Sequence, residues 1–313
     1  MASYVLRRSI SAIAVMAMVG IVIFLLLRLA PGDPAATIAG ESATAEMIAG
    51  IREQLGLNEP MPVQFMRWVR GMLGGDFGTS ISAGRPVLEL ISRRLEPTLA
   101  LSILTMILSV TVGVTFGILA AWRSGGFVDR LLAAFSALGY SVPAFAAGYF
   151  LIYFFAMRIH WLPVQGYVPI ENGVGPWFVH LVLPTVTLSL AYIAFIARVT
   201  RASMLEVLSE DYMRTAAAKG ASSYAMLFHH ALKNAGVPIL TVIGISFAYL
   251  VGGVVVTETV FNIPGVGRLV VGAIDNRDYP IIQSVLILTS GLYVLINLIV
   301  DIAYTLIDPR IRY

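Results

Sequence analysis

Six long apolar stretches constrain the fold of this chain more than any other sequence feature. They lie at residues 9–30, 98–122, 131–157, 179–197, 237–257 and 281–304. A helix that crosses the hydrocarbon core of a bilayer needs about 20 mostly apolar residues, and each stretch is close to or above that length. Only 12% of the 313 residues are charged, which is about half of the share in soluble domains. The sequence therefore predicts an all-α integral membrane protein with six transmembrane helices, and it excludes a single soluble domain.

Lysine and arginine are distributed unevenly around these spans. If the N-terminus lies in the cytoplasm, the inside segments hold eleven basic residues, whereas the short outside loops hold Arg158, Arg268 and Arg277. The long segment at residues 31–96 crosses the membrane largely regardless of its charge. The distribution predicts that both termini and residues 198–236 face the cytoplasm.

The segment at residues 31–96 is the extended polar region on the outer side. It contains two predicted amphipathic helices, one that follows Thr44 as N-cap and stops at Leu55-Gly56, and one from Pro62 to Gly74. So small a unit has little hydrophobic core of its own. We therefore expect it to lie against the outer ends of the spans.

The segment at residues 198–236 contains a predicted helix of about ten residues. Ser209 would be its N-cap, Glu210 and Asp211 its first turn, and Gly220 its left-handed C′ residue. Small side chains at residues 215–218 would let a partner backbone approach closely. A connector lying on the membrane explains these alanines equally well, because alanine favours helices. A second helix is expected from Ser222 or Ser223 to Asn234, with its apolar side formed by Met226, Leu227, Ala231 and Leu232.

The sequence gives almost no support to an enzyme. Its two lysines are followed by Gly220 and Asn234, so a G-x-x-x-x-G-K-[ST] loop for ATP is excluded. There is no cysteine, no H-E-x-x-H pair among the four histidines and no G-x-S-x-G elbow. The net charge of +3 is too small to argue for nucleic acid. An intramembrane hydrolase would need a nucleophile–base pair that the sequence lacks.

Two acidic residues lie in or beside the spans, where a charge is costly. Glu258 could line a water-filled path or gate, or it could be paired with Arg268 or capped by nearby amides. Asp301 could line the path or bond to a facing helix or to Arg310. Pro143 interrupts the third span and predicts a kink there, and Gly252-Gly253 could provide tight packing or a hinge in the fifth. Together with Glu258, these three residues are the candidates for the translocation path or gate.

Eight short motifs follow one another along the chain: Arg28–Pro34, Leu55–Asn58, Gly75–Ser80, Ala197–Glu206, Glu258–Phe261, Pro264–Gly267, Arg277–Pro280 and Asp308–Arg312. In this order and spacing the sequence resembles the inner-membrane permease subunits of bacterial dipeptide and oligopeptide ABC importers. The resemblance covers the whole length and implies the type I ABC importer permease fold. It divides the chain into residues 1–30 with the first span, an outer segment at 31–96, a transmembrane domain at 97–307 and a cytoplasmic tail at 308–313.

The resemblance also implies that the predicted helix at 209–220 is the coupling helix that docks into a cytoplasmic ATPase. The general signature E-A-A-x-x-x-G is replaced here by Arg214-Thr215-Ala216, the form usual in the peptide-importer branch, and Pro238 follows Gly220 by eighteen residues instead of thirteen. A glutamate-based contact with the ATPase is therefore not carried over. The implied coupling residues are Glu210, Asp211, Tyr212, Arg214, Thr215, Ala216, Ala217, Lys219 and Gly220.

The resemblance further implies a set of partners in the bacterial inner membrane. These are a second, non-identical permease, two ATPase subunits that bind ATP and Mg²⁺, and an extracytoplasmic solute-binding protein, with no cofactor in this chain. The binding protein would deliver its ligand to an outer mouth that contains Pro264, Gly265, Gly267, Arg277 and Asp278. Relatives of this type also resemble carriers of nickel chelates, glutathione, opines and oligosaccharides. A membrane receptor or scaffold without transport is the alternative from a different class.

Overall fold

The computed structural model describes residues 2–29, 34–39, 43–54 and 56–307. Within these ranges the chain forms helices and loops, with one isolated antiparallel bridge between Thr79 and Pro86. The helices are α1 (Ala2–Leu29), α2 (Pro34–Ala39), α3 (Ala45–Gln54), α4 (Met61–Leu73), α5 (Val87–Trp122), α6 (Phe127–Ser141), α7 (Ala144–Leu151), α8 (Val174–Leu208), α9 (Asp211–Ala218), α10 (Leu232–Asn234), α11 (Gly236–Val260), α12 (Val266–Asp275) and α13 (Tyr279–Ile307). π-helical turns extend α7 over Ile152–Arg158 and precede α10 over Ala225–Ala231.

The predicted six spans are present, but two of them are bent. Among the described residues, four helices are long and apolar enough to cross a bilayer, namely α1, α5, α8 and α13. Two further spans are bent helix pairs, α6 with α7 at 104° and Ala225–Asn234 with the first part of α11 at 64°. The chain therefore has six membrane-spanning units if each bent pair counts as one.

The third predicted span, at 131–157, is not one helix, and the reason is Pro143. Proline has no N–H, and its ring disfavours the helical conformation of the residue before it. Val142 is accordingly extended, with φ −94° and ψ 117°, and Pro143 becomes the N-cap of α7. The expectation of a kink was right in position, but the structure has a break between two helices.

The helices α5 and α8 also extend beyond the predicted spans. α5 begins at Val87, so its first turns belong to the segment that we assigned to the outer region. α8 begins at Val174, before the predicted start at residue 179, and contains Pro184 in its interior. Both helices have 35 or 36 residues, which exceeds the length of a simple crossing and carries each helix out of the hydrocarbon core.

α5 and α8 pack closely because two glycines of α5 face α8. A Cβ atom on Gly117 would lie 2.6 Å from the carbonyl oxygen of Ala197, and one on Gly113 would lie 3.0 Å from Ile196 Cβ. Gly148 of α7 likewise approaches Phe261 and the side chains beside it. This is the small-residue packing that membrane helices use in place of a hydrophobic driving force. The closely packed helices α5 and α8 form the centre of the bundle.

α1 lies against α13 and α4. Arg8 donates a hydrogen bond from Nη2 to Asp301 Oδ1 over 3.0 Å, so Asp301 bonds to a facing helix, one of the three alternatives that the sequence left open. At the other end of α1, Phe24 packs edge-on against Phe65 of α4, with ring centroids 5.3 Å apart, and also contacts Trp68. These contacts place α4 of the outer segment against the end of a span.

The short helices of that segment follow the predicted bounds. Met47 N–H donates to Thr44 Oγ1 over 3.3 Å, which caps α3, and Gly56 takes φ +64° just beyond its end. α4 begins at Met61 beside the predicted Pro62 and ends before Gly74. Leu55, part of the first motif (residues 30–33) and the C-terminal tail at 308–313 with Arg310 lie outside the described residues.

Candidate functional site

α9 is a short, separate helix between α8 and the π-helical turn. Gly220 has φ +84°, its N–H donates to the carbonyl of Ala217 over 2.9 Å, and Ala221 N–H donates to Ala216 over 3.1 Å. This pair of bonds is a Schellman motif, in which a left-handed glycine ends a helix. The predicted C-terminus of the helix is therefore present, with Lys219 as the C-cap residue.

The predicted N-cap is wrong by one residue. Ser209 is the C-cap of α8, and its Oγ donates back to the carbonyl of Glu206 over 2.7 Å. Glu210, in an extended conformation, is the N-cap of α9, so the helix begins at Asp211 and has eight residues rather than about ten. The serine hydroxyl is used by the preceding helix because α8 continues up to it without a break.

α9 is attached to the bundle by one apolar side chain. Met213 is 1% exposed and packs among Met204 of α8, Ile118 of α5 and Leu227. Leu227 belongs to residues 222–234, which lead from α9 to α11 and which we name the return segment. Tyr212 accepts a hydrogen bond at its hydroxyl oxygen from Asn234 Nδ2 over 2.9 Å, which joins the two arms of the segment. One anchor and one polar contact hold the helix in place.

The rest of α9 faces outward. Ala216 is half-buried, and the exposed residues include Asp211, Tyr212, Arg214, Thr215, Ala217, Lys219 and Gly220. The ion pair of Arg214 with Asp211, at 3.6 Å, joins two side chains that are 78% and 96% exposed, so it stabilises little. α9 thus presents a small-residue surface, flanked by charged and aromatic side chains, that the described part of the chain leaves uncovered.

The return segment packs against the buried side of α9. The predicted second helix is present from Ser223, with Ser222 Oγ accepting from Ala225 N–H over 3.3 Å, but it is π-helical over Ala225–Ala231. Its predicted apolar side, Met226, Leu227, Ala231 and Leu232, packs against the same cluster as Met213. π-helical turns are common at functional sites, and this one connects α9 to the span α11.

At the opposite end of α11, Glu258 is fully buried and hydrogen-bonded. Thr98 Oγ1 donates to Glu258 Oε1 over 2.5 Å, and Arg268 N–H donates to Oε2 over 2.9 Å. Val266 N–H in turn donates to Thr98 Oγ1 over 2.8 Å, so the hydroxyl bridges the carboxylate and α12. The alternative of a carboxylate capped by nearby amides fits this geometry, and the guanidinium of Arg268 contacts Asn262 instead. We name Thr98, Glu258 and residues 263–268 the Glu258 corner.

Two glycines leave room for the carboxylate of Glu258, because a side chain at either position would occupy the same space. A Cβ atom on Gly265 would lie 2.0 Å from Glu258 Oε1, and one on Gly267 would lie 2.8 Å from the Cα of Val255. Pro264 precedes the turn that starts α12 with Gly265 as its N-cap. Of the predicted outer-mouth residues, Gly265 and Gly267 therefore lie against Glu258, and Pro264 is exposed beside them.

Asp278 forms a second buried cluster, with two serines far away in sequence. Its Oδ2 accepts from Ser80 Oγ over 2.6 Å, from Ser82 N–H over 2.9 Å and from Ser82 Oγ over 2.8 Å. Burial raises the pKa of Asp278, but the hydrogen bonds from Ser80 and Ser82 outweigh it, so the pKa lies below its usual value. Asp278, Ser80 and Ser82, the Asp278 cluster, fasten the segment before α5 to the start of α13. The neighbouring Arg277 is exposed and has φ +53°.

The remaining predicted path residues are spread along the bundle. Gly252 lines an apolar cavity of about 340 Å³ between α5, α11, α12 and α13. A Cβ atom on Gly253 would lie 3.0 Å from Leu188 Cδ1, so this glycine allows α11 to approach α8. Pro143 lies at the break between α6 and α7, and Glu258 does not line the cavity.

Sequence reasoning missed the partners of these acidic residues. Thr98 is 160 residues from Glu258, and Ser80 is 198 residues from Asp278. It also missed a network in which Tyr167 and Trp177 donate to Glu96. Hydroxyl and aromatic residues are too common for a sequence signal to mark these positions. Within the described ranges, the structure places no three histidine, cysteine or acidic residues where they could hold a metal ion.

The fold and the exposed α9 define the class of protein, a multi-pass helical membrane protein with the fold of a type I ABC importer permease. Family models for the binding-protein-dependent transport system inner membrane component match residues 113–313, and those for the N-terminal part of such components match residues 1–102. The chain belongs to this family and is an inner-membrane permease of the ABC importer type.

Curated relatives match over their full lengths. A probable peptide ABC transporter permease of Sinorhizobium fredii is 77% identical over 100% of both chains. A glutathione transport system permease of Salmonella paratyphi A is 46% identical, also over 100% of both. Among solved structures, a chain of the MetNI methionine ABC transporter in an inward-facing conformation has a TM-score of 0.59, with 19% identity over 71% of this chain and 97% of that chain. At this identity the structural likeness supports the fold alone.

Proposed function

We propose that this chain forms, with a second and non-identical permease, the path by which an ATP-driven importer moves di- or oligopeptides across the inner membrane. The observation that supports the cargo is the 77% identity, over the full length, to a probable peptide permease. Glutathione, itself a small peptide, is the second candidate because a glutathione permease is 46% identical over the full length.

The energy for transport comes from separate subunits in this proposal. α9 is the surface that docks into an ATPase, because its exposed face includes the small residues Thr215, Ala217 and Ala218, while Met213 is buried in the bundle. Two ATPase subunits bind ATP and Mg²⁺, and this chain holds neither. Closure of the ATPases moves α9, and the packed cluster around Met213 passes the movement to α5, α8 and the return segment as a rigid body.

The two ends of the bundle face different compartments in this proposal. Both termini and α9 lie in the cytoplasm, and the Glu258 corner and the Asp278 cluster lie outside, near the docked solute-binding protein. The distribution of arginine and lysine supports this orientation. Gly252, Gly253 and Pro143 are the proposed moving parts of the path. Gly253 lies where α11 approaches α8, Pro143 lies at the break between α6 and α7, and Gly252 lines the apolar cavity.

The docking role is tested by Ala217→Trp. Ala217 is exposed, so the larger side chain needs no room inside this chain but blocks close approach of a partner. We expect uptake of a labelled dipeptide and co-purification of the ATPase to fall tenfold or more, since blocking a central contact costs roughly 2 kcal/mol or more. The matched control is Ala49→Trp on the exposed side of α3, which should leave both unchanged. Normal assembly of the Ala217→Trp complex would refute the docking role.

The cargo is tested on the whole transporter. Uptake of a labelled dipeptide is measured with unlabelled dipeptide or glutathione as competitor, and the melting temperature of the associated binding protein is measured with both. Competition and a shift by dipeptides alone would support peptide cargo. Competition and a shift by glutathione alone would replace it with the second candidate.

A further inference from the structure

A cavity of about 430 Å³ lies between α6 and the part of α8 that leads to α9. It is lined by Arg130, Arg198 and Arg201 together with one carboxylate, that of Asp129. The other lining residues are Leu132, Ala133, Ser136, Ala137 and Tyr140. The cavity therefore combines an excess of positive charge with an apolar wall, next to two membrane-spanning units.

Both carboxylate oxygens of Asp129 already accept hydrogen bonds from other residues. Its side chain is 13% exposed and forms a two-pronged ion pair with Arg201, in which Nη2 donates to Oδ2 over 2.7 Å. Gly125 N–H donates to the same oxygen over 2.8 Å. The ion pair neutralises Arg201. Within the described ranges, Arg130 and Arg198 are left without a carboxylate partner.

Arg198 is held in place without losing its donors. Its guanidinium carbon lies 4.6 Å from the centroid of the Tyr140 ring, a cation–π contact that uses the flat face of the group. The N–H groups at the edge of a guanidinium form a fork that matches the oxygens of a phosphate or carboxylate. Tyr140 lies near the end of α6, where the break before Pro143 begins. The bent span thus places the ring of Tyr140 against the guanidinium of Arg198.

Ser136 adds to the cavity wall a buried hydroxyl without a partner, one of six such side-chain atoms among the described residues. The residue lines the cavity and is 4% exposed, yet its Oγ has no hydrogen-bond partner among the described residues. A buried hydroxyl without a partner is costly, and buried polar groups are nearly always satisfied. An anionic oxygen in the cavity would accept from it.

The spacing of Arg198 and Arg201 also fits a binding site for an anion. Arg198 and Arg201 are three residues apart on α8, so they share one face of the helix and both line the cavity. They belong to the motif at residues 197–206, in which Ala197 and Met204 serve the packing of α8, whereas Arg198 is exposed and takes no part in it. One arginine builds the wall with Asp129, and the other is available for a ligand.

We propose that this cavity binds the phosphate group of an anionic phospholipid, with Arg198 and Ser136 donating to its oxygens and Arg130 adding charge. Basic pockets between transmembrane helices are suited to anionic headgroups, and here the apolar residues Leu132, Ala133 and Ala137 would contact the glycerol and upper acyl chains. Occupation would join α6 to α8 beside the coupling segment. The proposal rests on the membrane location of the chain and not on its cargo.

The test measures lipid retained by the purified complex, with its partner subunits, by native mass spectrometry. Dioleoylphosphatidylglycerol is titrated into the detergent-solubilised wild type, Arg198→Gln and, as a control, Arg93→Gln, an exposed arginine of α5 paired with Glu89. Removal of one charge should weaken retention about fivefold in Arg198→Gln. Arg93→Gln should bind as the wild type does. Dioleoylphosphatidylcholine should bind all three proteins equally, which shows that they are folded.

A second variant and a second probe decide the source of the phosphate. Ser136→Ala should weaken retention of phosphatidylglycerol in the same direction, by about two- to fivefold, as loss of one hydrogen bond implies. Equal retention by wild type and Arg198→Gln would overturn the proposal. Inorganic phosphate that binds as tightly as phosphatidylglycerol would make the cavity a site for a soluble anion and overturn the lipid assignment. Because the readout is lipid and not uptake, failure of the docking role of α9 leaves this result unaffected.

Discussion

The two ends of α11 lead to two regions that are held together in opposite ways. At the Glu258 corner and the Asp278 cluster, buried carboxylates accept hydrogen bonds from residues far away in sequence. At α9, one buried methionine holds a helix whose other side chains face outward. The first arrangement is complete within the chain, and the second leaves a surface uncovered. The comparison suggests that substitutions should cost stability at the first end and assembly at the second.

Asp278→Ala should have the largest effect on stability. The variant leaves the donors of Ser80 and Ser82 without their acceptor and should lower the free energy of unfolding by about 3 kcal/mol. Asp275→Ala, at an exposed position in the same region, is the control and should change little. Unfolding of the detergent-solubilised protein in a denaturing detergent gives the difference.

The pH dependence of that difference sharpens the test. Because the pKa of Asp278 is lowered in the folded protein, its stabilisation is present above the unfolded pKa and is lost as the pH falls through the folded pKa. The wild type and Asp278→Asn should therefore differ at neutral pH and converge below about pH 4. A constant difference down to pH 3 would contradict the role of the charge.

Gly265→Ala should have the next largest effect. The added Cβ would lie 2.0 Å from Glu258 Oε1, so the carboxylate or the turn must shift, and such overpacking costs about 2 kcal/mol. Gly272→Ala in α12 is the matched control, since no heavy atom of the described chain lies within 4 Å of its added Cβ and alanine favours the helix. Unfolding in the same detergent system compares them, and equal stability of the two variants would show that Glu258 can move freely.

Gly220→Ala should have the smallest effect on stability. Its φ of +84° disfavours a side chain by about 1 kcal/mol, but the cost falls on the C-terminus of α9 and not on the core. Gly175→Ala, in the first turn of α8, is the control. We expect little change in the global unfolding transition and faster proteolysis after α9. A loss as large as that of Asp278→Ala would mean that α9 is part of the rigid bundle.

The sequence predicted those parts of the structure that depend on local chemistry. Gly220 ends α9 and Thr44 caps α3, because each effect acts within one turn of a helix. Ser209 was misassigned because a serine between two helices can serve either one.

Contacts between distant segments could not be predicted in this way. The partners of Glu258 and Asp278 are a threonine and two serines more than 150 residues away, and nothing in their local sequence marks them. The sequence shows Arg198 and Arg201 at the start of the segment at residues 198–236. It did not predict that the break at Pro143 would bring Tyr140 and Ser136 to them.

The central proposal, that α9 is a cytoplasmic surface covered by an ATPase, is tested most directly by cysteine labelling. Since the chain has no cysteine, Ala217→Cys introduces one thiol on α9 and Ala49→Cys one on α3. With a membrane-impermeant maleimide, Ala49→Cys should react in spheroplasts with an intact inner membrane. Ala217→Cys should react only after that membrane is opened and should be protected in the assembled complex. Labelling of Ala217→Cys in intact spheroplasts, or equal labelling with and without the ATPase, would contradict the account.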